Sequence, residues 1–103
     1  MATVIEKDDK FILTLSPLEK IGAFHGDITV DRSQLISIEE APNPWKVTVL
    51  KGVRAPGTGI PFVIMLGTLR YRGGKDFAAV YKRKPVKIYN FKDAAFKRWI
   101  VSK

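Results

Sequence analysis

Punctuation is the feature that most limits what this chain can become. Apolar–polar alternation never runs beyond about eight residues before a Gly, a Pro or a polar cluster interrupts it, a spacing that suits short strands and starves long helices. Residues 11–15, FILTL, put Phe11, Leu13 and Leu15 on one face. They stop at Ser16-Pro17-Leu18-Glu19, where Ser16 can cap, Pro17 suits the first helical position and Glu19 can complete a capping box. Gly22 follows closely, so one helical turn is expected. Further strands are expected over 23–30, with Ile28 and Val30 inward, and over 35–38, after the polar break Asp31-Arg32-Ser33. The rigid connection APNPW (41–45) leads to a strand over 47–50, and a Gly/Pro loop at 52–61 leads to a long strand over 62–71. A turn at Gly73-Gly74 returns the chain through 77–81, and residues 82–85 turn it again into 86–91. A three-residue hairpin loop, 73–75, is preferred because it pairs Arg72 with Asp76 and keeps a carboxylate off the apolar face. Residues 92–97 are ambiguous and could form a short helix, and Trp99-Ile100-Val101 reads as a strand.

At 103 residues this is one domain, and 46% hydrophobic content is enough for a core without metal or disulfide staples. The absence of cysteine removes disulfides, thiolate metal sites and thiol nucleophiles together. An acidic N-terminus and no long apolar run point to a soluble, cytoplasmic protein, compatible with peripheral attachment at the inner face of a membrane. The net charge of +8 divides unevenly. Residues 1–45 carry four basic and eight acidic side chains, residues 46–103 fourteen and two. A basic region of that density suits a polyanion.

The segment from Gly52 to Gly59 has the G-x-x-x-x-G half of a phosphate-binding loop, but Thr58 and Gly59 stand where the lysine and the magnesium-binding hydroxyl belong, so nucleotide hydrolysis lacks its parts. A tight Pro56-Gly57 turn explains the glycines structurally. The functional form that survives is an anion-binding nest of the Gly57, Thr58 and Gly59 amides beside Arg54. Run 62–66, FVIML, is expected to be buried on both faces or to form a homodimer contact. Basic residues alternate with rings around Arg70-Tyr71-Arg72, residues 81–84, Lys87-Ile88-Tyr89 and residues 96–99. That mixture serves nucleic-acid binding through charge and stacking on rings such as Tyr81 or Tyr89, and it also describes a half-buried strand with charges outward. The single histidine, His25, lacks the companions of a metal site, and no nucleophile elbow is present, so no catalytic residue and no cofactor are assigned.

The series Leu18-Glu19-Lys20, His25-Gly26-Asp27, Asn43-Pro44-Trp45, the stretch 52–61, Gly67-Thr68 and residues 74–78 resembles an uncharacterised bacterial group similar to bacterial pleckstrin-homology-like domains. RAPGTGIP (54–61) is the most specific part. The resemblance implies a bent antiparallel barrel of about seven strands, usually closed by a C-terminal helix that is here expected to be missing or displaced to 92–97; an uncovered mouth would favour self-association. It transfers no catalytic residues. The phosphoinositide site of better-known members uses a basic first hairpin, and the first hairpin here is acidic to neutral.

The expected protein is therefore all-β: a single small PH-like barrel or bent sandwich over residues 1–103, with at most one or two helical turns. It is expected to be a non-enzymatic binding or scaffold module. Arg54, Gly57, Thr58 and Gly59 are the candidate anion site, and Arg70, Arg72, Lys82, Arg83 and Lys84 the wider basic surface. The expected partner is a protein, a second copy or an anionic membrane surface, with nucleic acid as the alternative and no metal.

Overall fold

The computed structural model describes all residues but Met1, Val47, Thr48 and Lys51, with residues 53–56 described by backbone alone. The chain is mainly β, in two sheets. Strands β1 (Thr3–Lys7) and β2 (Lys10–Thr14) form a hairpin across Asp8 and Asp9, whose φ angles of 51° and 60° make the left-handed tight turn that aspartate tolerates. Helix α1 (Pro17–Ala23) leads to β3 (Ile28–Asp31), and β1-β2-β3 make an antiparallel sheet. A 3₁₀ turn, Arg32–Gln34, delivers the chain to β4 (Leu35–Ala41). Then come β5 (Val53–Ile60), β6 (Ile64–Tyr71), β7 (Gly74–Tyr81), β8 (Val86–Phe91) and β9 (Arg98–Ser102), in a second sheet ordered β4-β8-β9-β7-β6-β5. All pairs in it are antiparallel except β7 with β9.

The described residues thus form nine strands in two open sheets, not seven in a closed barrel. Two strands escape the sequence pattern because both lie at sheet edges. β1 is largely exposed and shows no apolar face, and β5 carries Pro56, which a strand accepts where one side has no ladder to complete. The strand expected over 47–50 falls partly outside the described residues. Its remainder, Val49 and Leu50, is a turn whose amides both reach the Lys46 carbonyl at 2.9 Å. Residues 92–97 are a bent loop without helix.

The capping box forms as expected: Ser16 Oγ accepts from the Glu19 amide at 3.2 Å, and Glu19 Oε1 accepts from the Ser16 amide at 2.8 Å. The helix nevertheless passes through Gly22 and ends at Phe24, which is left-handed with φ 54°. Gly22 is a packing residue here. A Cβ on it would meet Leu66 Cδ1 at 3.3 Å and Thr58 Oγ1 at 3.5 Å, so its absence lets α1 lie close on β5 and β6.

The β6–β7 register differs from the expected one. Tyr71 pairs with Gly74, Arg70 with Lys75 and Leu69 with Asp76, so only Arg72 and Gly73 lie in the loop. Asp76 is completely buried. It is tolerated because Tyr71 Oη donates to Oδ1 at 2.7 Å while Arg98 Nε and Nη2 approach Oδ2 at 2.8 and 2.7 Å. Arg98 also donates to the Val49 carbonyl at 2.7 Å, tying the 46–50 turn to the sheet.

The core has two parts, one on each face of the large sheet. On one face Phe11, Leu13 and Val30 of the small sheet meet Phe77, Phe91 and Trp99. On the other, Leu69, Val80, Val86, Ile88 and Ile100 lie beneath Trp45, Val49 and Leu50 of the connection after β4. Burial on both faces was expected of residues 62–66. It belongs instead to β7 and β9, the inner strands, while Phe62 and Val63 stand half-exposed at a hairpin tip.

Candidate functional site

The Tyr81 hydroxyl fixes the end of the molecule where three elements meet. Tyr81 closes β7 and donates its hydroxyl proton to Glu19 Oε2, which holds the first turn of α1 over the sheet. Burial raises the Glu19 carboxyl, but hydrogen bonds from the Ser16 amide, Tyr81 and the Ser16 side chain outweigh it and hold the group below its ordinary range. Burial, then the bond to Glu19, pushes the Tyr81 phenol well up. Directly opposite Tyr81 is Ile64, which opens β6, and Ile64 pairs in turn with Ile60 across the β5–β6 hairpin. The third element is the β7–β8 turn. The Lys82 amide donates to the Val63 carbonyl at 2.7 Å, and the Lys82 carbonyl accepts from Trp45 Nε1 at 2.5 Å.

These anchors leave apolar side chains facing solvent. On α1, Leu18, Ile21 and Phe24 are 81, 70 and 71% exposed, and at the hairpin Ile60, Phe62 and Val63 are each about half exposed. Cations stand beside the hairpin. The Arg83 guanidinium lies 4.8 Å from the centroid of the Phe62 ring, whose other neighbour is Trp45 at 5.7 Å. Lys82 and Lys84 border a groove of about 390 Å³ with Val63, Ile64 and Tyr81. Among the described residues Lys46, Lys82, Arg83 and Lys84 have no carboxylate within ion-pair distance. The nearby carboxylates are otherwise engaged: Glu19 by Tyr81, Asp27 by Lys20 at 3.8 Å, and Glu40 by Lys103 at 2.6 Å. The bond to Lys103 lowers the Glu40 carboxyl.

The expected basic surface is divided by this geometry. Residues 82–84 lie at one end of β7, and Arg70 and Arg72 at the hairpin beyond its other end, about 24 Å away at ~3.4 Å per strand residue. Gly57, Thr58 and Gly59 lie in β5 and pair with residues 65–67, next to a register shift between Arg54 and Gly57. Thr58 Oγ1 donates to the Gly22 carbonyl at 2.7 Å. The Arg54 side chain is outside the described part of the structure. The rings offered for stacking are engaged as well: Tyr89 is buried and Tyr81 is bonded to Glu19. His25 packs edge-on against Phe77 and Phe96, 5.5 Å from each, with Nδ1 2.8 Å from the Gly26 carbonyl.

Sequence reasoning missed Leu18, Ile21, Phe24 and Trp45. The first three sit at i, i+3 and i+6, a helical stripe that reads as core when the helix is taken for a single turn. No helix among the described residues is long and apolar enough to cross a membrane. No protein-family model, curated protein or solved structure matches this chain.

Proposed function

We propose that the chain is a non-enzymatic binding module of the bacterial PH-like kind, and that its docking surface is the end built from α1, the β5–β6 hairpin and the β7–β8 turn. Its partner is an anionic macromolecular surface. One observation carries the reading: the exposed apolar hairpin tip of Ile60, Phe62 and Val63 stands beside Lys82, Arg83 and Lys84, which among the described residues have no carboxylate within ion-pair distance, and the Tyr81–Glu19 bond ties α1 with its exposed Leu18 and Ile21 to the same end of β7. A globular protein ordinarily balances or disperses such groups, and their gathering at one end marks an interaction site. The PH-like assignment rests on the RAPGTGIP resemblance and on the small antiparallel sheet stacked over a larger one; the two open sheets and the parallel β7–β9 pair depart from the barrel of that fold.

The test is an amide-resolved titration with a short heparin oligosaccharide as polyanion. Saturable shifts should centre on residues 45–46, 60–63 and 82–84, and Lys82→Glu with Arg83→Glu should remove them. Shifts centred on Arg70, Arg72 and the 92–97 loop, or no shifts, would put the docking surface elsewhere.

A further inference from the structure

The chemistry of this end selects one kind of anionic surface. We infer that the partner is the headgroup layer of an anionic bilayer, with Leu18, Ile21, Ile60 and Val63 entering the acyl boundary while residues 82–84 meet lipid phosphates; the inference rests on the docking surface proposed above.

Three observations carry it. First, the exposed apolar groups are projecting tips. They come from one face of a two-turn helix and from the loop of a hairpin, and beside the hairpin Val63, Ile64 and Tyr81 line a groove with Lys82 and Lys84. A protein partner would need a separate pocket for each tip, whereas acyl chains accept any of them, and an interfacial apolar face enters only about 5–10 Å. Second, the cations are mainly long lysines beside the tips, able to lie along apolar surface with their charge in the phosphate layer. Arg83 over Phe62 is such an arrangement already formed, and Trp45 beside them suits the boundary between chain and headgroup. Third, the tips are held in place before any partner arrives. The Glu19–Tyr81 bond fixes α1, the Trp45–Lys82 bond fixes the connection, and the Lys82 amide fixes the hairpin. Insertion therefore requires no unfolding of the core.

The protein's lack of cysteine allows a single thiol to be introduced as a probe of depth. Val63→Cys and, at the far end, Ser33→Cys would each carry an environment-sensitive fluorophore. Each is mixed with phosphatidylcholine vesicles, with vesicles containing about one-third phosphatidylglycerol, or with the heparin oligosaccharide. The expected result is a blue shift at position 63 and none at 33, on the phosphatidylglycerol vesicles alone. Loss of charge at Lys82 or Arg83 should weaken vesicle partitioning roughly fivefold each. Ile21→Asp should weaken it about tenfold or more, with circular dichroism unchanged because the residue is exposed. Vesicle binding that ignores Ile21→Asp and leaves position 63 in water would overturn insertion. Heparin binding without vesicle binding would overturn the bilayer as partner and keep the docking surface. Binding to neither would overturn both.

Discussion

Two buried hydroxyl–carboxylate contacts set the residue scale, and they behave differently. Asp76 is fully enclosed, with Arg98 and Tyr71 as its partners. Burial, and after it the bond to Asp76, pushes the Tyr71 phenol up to about 12. Arg98→Ala should cost about 3–5 kcal/mol in urea denaturation, because Asp76 then stays buried without its charge partner; Asp76→Ala, which strands the mostly covered Arg98, should cost less, and the double variant less than the sum. Glu19 and Tyr81 instead set a pH window. The Glu19 carboxyl is held below its ordinary value of 4.5, so its contribution is present above that pH and is lost as acid protonates it in the folded protein. The Tyr81 phenol is raised above its ordinary value of 10.0, so its contribution is intact below that pH and is lost as pH rises. Tyr81→Phe should cost about 1–2 kcal/mol at neutral pH and flatten the alkaline limb of a stability–pH profile. The capping role of Glu19 is legible in its neighbours, since Ser16 lies three residues away. Its bond to Tyr81 is not, because 62 positions separate them.

Among the elements, β5 shows why a Gly/Pro stretch misleads. Gly57 stands opposite Gly67 beside a register shift, with φ 150°, and a Cβ there would lie 2.2 Å from the Leu66 carbonyl oxygen. The glycine that reads as a loop residue is needed for two strands to approach. Gly57→Ala should separate β5 from β6 at a cost of at least ~1–3 kcal/mol, seen as faster hydrogen exchange in both strands while β8 and β9 stay protected. The inner strands are plainer in the sequence, as FAAVY and VKIYNF carry the apolar content that a central position demands. Their pairing is harder. The expected hairpin register excludes a carboxylate from the apolar face, a sound rule that fails because Tyr71 bonds Asp76 and Arg98 arrives from β9. The end proposed for docking is half legible: its cations are conspicuous in the sequence, but exposed Leu18 and Ile21 are indistinguishable from core until α1 is seen to bury Glu19 and Ala23 instead.

On the scale of the molecule, the connection after β4 serves as a lid on the second core. Trp45 holds it through one hydrogen bond and one ring contact. Trp45→Ala should lower stability by about 1–3 kcal/mol and raise the binding of a hydrophobic dye as Leu69, Val80 and Ile88 lose their cover. The order of strands has a consequence in time. β9 lies between β8 and β7 although it follows both in the chain, so neither neighbour can complete its hydrogen bonds until residues 98–102 arrive. In a nascent chain released up to residue 97, the groups β4-β8 and β7-β6-β5 would each have an open edge where β9 belongs. Ribosomal synthesis therefore delivers the keystone after everything it joins, and the large sheet forms after that segment clears the exit tunnel. Until then, whatever shields nascent chains must keep two facing edges from finding other partners.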